Sequence, residues 1–241
     1  MDKSEFPMRI NRYLALKGHA TRKDADRLIE AGKVFVNGRQ ATLGEKVKID
    51  DQVEVLNRTR KNAYVYFAYN KPVGIVTNPE EGHTSVIQVA GLPKTVFPVG
   101  RLDKASRGLL LLTNDGRITD RLLNPDYKHD KQYRVTVDKT ITDDFLKKMA
   151  AGVQIEEYRT KKAETKKIGD KTFSIVLTEG KKHQIRRMCA ALGYQVIDLE
   201  RTRIMNLELG TLREGQARPV TGEELEAFLA SLGLMTSSSK S

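Results

Sequence analysis

Cysteine is the scarcest side chain of chemical use in these 241 residues: Cys189 stands alone. An internal disulfide framework is therefore excluded, and a reducing cytoplasm suits the chain. The four histidines are scattered and share no metal-ligand spacing with Cys189 or with one another, so no structural or catalytic metal is expected. No stretch nears the roughly 18 apolar residues that a membrane-spanning helix needs. Residues 1–8 also lack the apolar core of a secretory signal. A Walker-type phosphate loop, a dinucleotide fingerprint and an internal repeat are all missing. A cytoplasmic protein without a membrane partner is the expectation.

Positive charge is what the chain has in excess. Lys and Arg number 42 against 31 Asp and Glu, a formal net charge of +11 that no single tail accounts for. Such an excess spread along a folded chain favours an anionic partner, with nucleic acid ahead of a membrane surface. Hydrophobic residues at 39% suffice for a core, and the length suits one to two domains.

The first 58 residues read as a unit of their own. Ile10, Tyr13, Leu14 and Lys17 keep a helical period that Gly18 closes. Thr21 is placed to cap a second helix, with Ala25, Leu28 and Ile29 on one face up to Gly32. Val34-Phe35-Val36, an Asn37-Gly38 turn and an extended piece over residues 47–55 predict a hairpin. Arg9, Arg12, Arg22, Lys23, Arg27 and Lys33 punctuate this unit, either as a solvated face or as phosphate contacts. Residues 57–62 are polar and basic and form the natural linker (59–62 between the units proper). A second domain is expected over residues 63–235, with a flexible Ser-rich tail at 236–241.

In that second domain, residues 64–69 have the aromatic and β-branched bias of a strand, followed by an Asn70-Lys71-Pro72-Val73-Gly74 turn. A short helix is expected over residues 85–89. Leu109 to Leu112, bounded by Gly108 and the Asn114-Asp115-Gly116 turn, read as a buried strand. Asp103 then lies on a loop anchored to the core, where it either caps a turn, pairs with Arg101 or does chemistry. Ile118, Leu122 and Leu123 mark one helical face ended by Asn124-Pro125. Residues 128–137 alternate like a strand carrying Lys131 and Tyr133. Residues 138–152 read as a capped helix, and residues 153–168 as a basic, strand-like stretch. Ile185, Met188, Cys189 and Leu192 form the buried stripe of a helix flanked by Arg186 and Arg187. A guanidinium at the edge of a core calls for a carboxylate partner.

Gly100-Arg101-Leu102-Asp103, three variable positions, then Arg107-Gly108-Leu109-Leu110-Leu111-Leu112-Thr113-Asn114-Asp115-Gly116 resembles the catalytic motif of RNA pseudouridine synthases of the RsuA and RluF type. His183-Gln184-Ile185-Arg186-Arg187-Met188 resembles a later motif of that family, and residues 199–206 are similar to its RluF branch. The amino-terminal unit resembles an S4-like RNA-binding domain. The resemblance implies an α+β protein whose catalytic sheet is mainly antiparallel, crossed by an RNA-binding cleft. It also implies Asp103 as the catalytic carboxylate, Arg186 as its partner and Tyr133 as the ring that packs on the target base. Arg101, Lys131 and Leu177 would contact substrate. The implied partner is ribosomal RNA, with the 23S molecule favoured, and the implied state a monomer.

Pseudouridine formation breaks a glycosidic bond, rotates the uracil and joins its carbon 5 to the sugar, with no redox change and no added group. No cofactor is therefore expected. Two other readings stay open at this point: a non-catalytic S4-type ribosome-assembly factor, and a synthase acting on 16S RNA or transfer RNA.

Overall fold

A computed structural model of the protein describes residues 5–56, 64–77, 86–93 and 95–234. The expected linker and the Ser-rich tail lie outside the described residues. The chain divides into two compact units, residues 1–65 with 114–119, and residues 66–113 with 120–241.

The first unit opens with β1 (Met8–Arg9), α1 (Ile10–Leu16) and α2 (Arg22–Glu30). Thr21 caps α2 as its sequence spacing predicts, its hydroxyl accepting from the Asp24 amide at 3.2 Å. Strands β2 (Val34–Val36), β3 (Arg39–Gln40), β4 (Lys46–Val47) and β5 (Val53–Val55) follow. Asn37 and Gly38 both take positive φ, 51° and 78°, the geometry that suits a two-residue hairpin turn. That turn joins β2 to β3, whereas the predicted extended piece over residues 47–55 is broken in two. Its first end, β4, pairs with β1, and its second, β5, pairs with β2. Residues 48–52 turn the chain instead, held by the Asp51 carboxylate on the Lys48 amide. Met8, Ile10, Leu14, Ala25, Ile29, Val34, Val36 and Val47 form the core of this unit.

The second unit is built on a nine-stranded sheet. Its strands are β6 (Tyr66–Lys71), β7 (Phe97–Val99), β8 (Arg107–Thr113), β9 (Lys131–Val137), β12 (Glu164–Gly169), β13 (Thr172–Leu177), β14 (Val196–Ile204), β15 (Leu207–Glu208) and β16 (Ala217–Pro219). Strands β10 (Gln154–Ile155) and β11 (Tyr158–Arg159) form a separate hairpin. The order is β12-β13-β9-β14-β8-β6-β16, with β15 on β14 and β7 on β8. Every pairing is antiparallel except β14 with β8. The helices are α3 (Val86–Val89), α4 (Arg117–Leu123, its first residues counted with the first unit), α5 (Asp143–Ala151), α6 (Gln184–Ala191) and α7 (Gly222–Ser231).

Period-2 alternation puts Val135 and Val137 of β9 and Phe173, Ile175 and Leu177 of β13 on one face. There they pack with Phe145 and Met149 of α5 and Ile185, Met188 and Cys189 of α6. Leu109 to Leu112 are all buried in β8, each worth about 1.5–3 kcal/mol of burial. The capped helix begins later than residues 138–152 suggest, at Asp143, because the Thr142 hydroxyl accepts from the Phe145 amide at 3.1 Å. In α4, Ile118 and Leu122 are buried as expected, but Leu123 is exposed.

Candidate active site

The loop of residues 100–106 feeds β8 and carries Asp103. Its backbone is fastened at several points. The Thr77 hydroxyl, itself buried, donates to the Leu102 carbonyl at 2.8 Å and accepts from the Leu102 amide at 3.1 Å. The Gly74 amide bonds the Lys104 carbonyl at 2.8 Å, so the Asn70-Lys71-Pro72-Val73-Gly74 turn braces the loop from one side. Arg186 braces it from the other, one guanidinium nitrogen on the Ala105 carbonyl at 2.8 Å and another on the Val196 carbonyl at 3.0 Å. The Asp103 carbonyl accepts from the Ser106 amide within the loop.

The expected Arg186–Asp103 ion pair is therefore corrected. Arg186 places its two terminal nitrogens on the Ala105 and Val196 carbonyls, the first two residues from the carboxylate it was predicted to meet, and leaves its buried Nε unpaired. The side chain facing Asp103 is on the residue before α6: His183 Nε2 lies 3.4 Å from Asp103 Oδ1. His183 reaches it from a left-handed backbone, φ 54°, at the helix N-cap. The preceding turn is held by Glu179 and Gln184, both buried. Gln184 donates to Glu179 at 2.7 Å and accepts from the Lys181 amide at 2.9 Å, and Tyr158 also donates to Glu179.

Three cations lie along the sheet at this place. Register puts Lys71 of β6 beside Gly108 of β8, Gly108 beside Arg201 of β14, and Arg201 beside Tyr133 of β9. Gly108 has φ 105°, and a Cβ there would sit 2.4 Å from the Arg201 carbonyl oxygen, so only glycine admits this approach. Arg201 is buried, with Nε on the Leu109 carbonyl at 2.7 Å and one terminal nitrogen 3.4 Å from the Arg101 carbonyl. Lys71 has no exposed surface and bonds the Pro72 and Ile75 carbonyls at 2.9 and 2.8 Å. Burial pushes its ammonium down to about 8; Asp103 works against that shift and Arg201 adds to it. Lys131, bonded to the His129 carbonyl at 3.1 Å, is also pushed down to about 8 by burial and then by Arg201, with Asp130 opposing.

Of the residues expected from sequence, Lys131, Tyr133 and the Arg101 backbone lie beside Arg201, and Asp103 shares with Arg201 the neighbourhood of Lys71. The Arg101 side chain is exposed. Leu177 is buried in the core, in register with Lys131, so it forms the wall beneath that lysine and offers no open surface. Sequence reasoning missed His183, Thr77 and Arg201 as parts of this place. Each stands within or beside a motif already singled out, but nothing in the motifs tells which side chain turns inward.

In the first unit a cavity of about 370 Å³ is lined by Arg9, Arg12, Arg22 and Lys46 together with Glu5 and Asn11. It gathers three of the six predicted phosphate contacts. Lys23, Arg27 and Lys33 are exposed and lie outside it.

Residues 65–191 match the model of the RNA pseudouridylate synthase family, and residues 8–53 that of the S4 domain. The chain belongs to the RNA pseudouridine synthase family. This synthase is 45% identical over 223 residues to the dual-specificity RNA pseudouridine synthase RluF of Escherichia coli O6:H1, covering 90% of this chain and 77% of that one. It is 38% identical over 233 residues to the ribosomal large subunit pseudouridine synthase B of Bacillus subtilis, covering 92% and 96%. A crystal structure of a pseudouridylate synthase superposes with a TM-score of 0.68 at 28% identity, over 93% of this chain and 99% of that one. The protein is an RNA-modifying enzyme of the RluF type with an S4 domain, and the reading as a binder without catalysis falls away.

Proposed function

We propose that this synthase converts a uridine of large-subunit ribosomal RNA to pseudouridine, with Asp103 as the catalytic carboxylate. The observation that carries the proposal is the contrast within one loop. The backbone around Asp103 is fastened by Thr77, Gly74 and Arg186, while its side chain keeps 40% of its surface open to an incoming base. A rigid, reachable carboxylate suits a group that must meet its target in one geometry.

The target base leaves its stack to reach such a site, at a cost of a few kcal/mol. Tyr133 supplies a ring for the base to lie on, and Arg101 fills the place it leaves. The glycosidic bond from sugar carbon 1′ to N1 then breaks, the uracil turns, and carbon 5 joins carbon 1′. Carbon 5 gives up its proton and N1 gains one, so atoms balance without an external reagent. Attack on the base, attack on the sugar and removal of a sugar proton all begin from a carboxylate oxygen. Arg201 aligns the backbone around Asp103 from within the sheet, and Arg9, Arg12 and Arg22 hold the phosphates elsewhere on the same RNA. The enzyme works as a monomer in the cytoplasm. The large-subunit assignment leans on the Bacillus subtilis relative named for that subunit.

Mapping pseudouridines in cells with and without the gene tests both parts. At least one large-subunit site is expected to vanish and to return with the wild-type gene but not with Asp103→Asn. Loss confined to small-subunit or transfer RNA would overturn the substrate, and restoration by Asp103→Asn would overturn the role of the carboxylate.

A further inference from the structure

Between α4 and β9 the chain makes a short turn, Pro125–Tyr127, then passes through Lys128 in a left-handed backbone, φ 52°, before entering the strand that carries Lys131 and Tyr133. Two aromatic rings stand on this turn. Tyr127 and His129 are stacked, ring centres 5.9 Å apart and planes within 17°. His129 is the inner member: its Nε2 is closed off from solvent, and burial followed by repulsion from Lys131 holds its pKa below the usual value. A neutral, partly buried imidazole backs the second ring. Tyr127 is the outer member, with 49% of its surface exposed. Holding a large ring rigid while leaving half of it in water gains little for the core, and its other use is to stack on something that arrives.

The turn is tied to the active site at both ends. Leu123, the last residue of α4, lies against Gly100, where an added Cβ would meet its Cδ2 at 3.1 Å, and Gly100 adjoins Arg101. At the far end the Lys131 ammonium bonds the His129 carbonyl at 3.1 Å. Lys128, the next residue, is exposed beside the ring, as is Asp126 before it. An aromatic face with positive charge beside it is the pattern that binds unstacked nucleobases with their phosphates.

We infer that Tyr127, backed by His129, is a stacking platform for a single-stranded nucleotide of the RNA flanking the target uridine, separate from the place Tyr133 holds for the target itself. The platform explains how a flipped segment is kept open on one side while chemistry proceeds. It rests on the RNA-isomerising reading above.

The chain has no tryptophan, so Tyr127→Trp creates a single reporter at the site. Ile168→Trp, on the edge strand β12 at an exposed position, serves as the control. Ribosomal RNA from a strain lacking the gene is the probe, with RNA retention on filters and thermal melting followed in the same preparations. Saturating RNA should quench indole fluorescence in Tyr127→Trp and leave Ile168→Trp unchanged. Tyr127→Ala should raise KM about 5- to 100-fold with kcat within about twofold, and Tyr127→Phe should restore most of the loss. Wild-type KM in a folded Tyr127→Ala, or an unquenched indole while RNA is retained, overturns the platform. So does a changed sedimentation of Tyr127→Ala without a change in KM, which would give the ring to a contact between copies. Failure of the wild type to form pseudouridine on this RNA would instead strike the underlying reading.

Discussion

The two units use their positive charge in opposite ways. In the first, Arg9, Arg22, Lys23, Arg27 and Lys33 are exposed, and their ion pairs are solvent-facing, such as Arg27 with Asp24 at 3.2 Å. Such pairs are each worth about 0–1 kcal/mol and are screened by salt. In the second, Lys71 and Arg201 are buried: Lys71 bonds the Pro72 and Ile75 carbonyls, and Arg201 bonds the Leu109 and Arg101 carbonyls with one terminal nitrogen left unpaired. Exposed charge recruits a polyanion without asking for a particular geometry; buried charge sets a geometry and recruits little by itself. The first unit keeps these cations at its surface, and the second keeps Lys71 and Arg201 inside its sheet.

The largest break in that contrast comes from Asp103 itself. Asp103→Asn should reduce pseudouridine formation by about 10³-fold or more while melting temperature and RNA affinity stay near wild type. A folded variant with the wild-type rate would end the role assigned to the carboxylate. Arg201→Met comes next. It removes the bonds to the Leu109 and Arg101 carbonyls, so a stability loss of about 1–3 kcal/mol and a roughly 100-fold fall in kcat are expected, with RNA affinity changed least. Denaturant titration and single-turnover kinetics separate the two effects.

The first unit is broken by the Arg9, Arg12 and Arg22→Gln triple variant. Its kcat should hold, while the plot of log affinity against log salt flattens by about 2–3 units of slope, one lost phosphate contact per arginine. An unchanged slope would take those arginines off the RNA. The smallest effect is read in stability against pH. Burial lowers Lys71 to about 8 in the folded protein, below its ordinary 10.5, so between those values the unfolded chain binds more protons. Stability from this lysine therefore rises with pH across that window and is lowest below pH 8. Lys71→Met should show a shallower rise between pH 8 and 10 by chemical denaturation.

Much of the architecture was legible because local chemistry and tertiary demand agree in it. Thr21, the Asn37-Gly38 turn and the four leucines of β8 each announce their structure within a few residues. Residues 47–55 misled because an apolar residue at each end reads as one strand, while Asp51 turns the chain between them. At the site, Asp103 was legible through its motif and its partner was not. Arg186 is the stronger cation, but a guanidinium can be satisfied by carbonyls as well as by a carboxylate, and only the approach of β14 and the Asp103 loop decides which. His183 enters through a left-handed backbone that its residue type does not advertise.

Gly108 against Arg201 has a consequence for how the enzyme comes into being. The contact joins β8 to β14 in the one parallel pairing of the sheet, across more than 90 residues of intervening chain. Closing so long a loop is entropically slow, and contacts of this kind govern how fast a domain folds. During synthesis the Asp103 loop emerges early, yet Arg186 and Arg201 are made about a third of the chain later. A nascent chain can finish its amino-terminal helices while the Asp103 loop still lacks Arg186 and Arg201. The parallel pairing is thus a late step in assembly, and a side chain added at Gly108, meeting the Arg201 carbonyl oxygen, would hinder it.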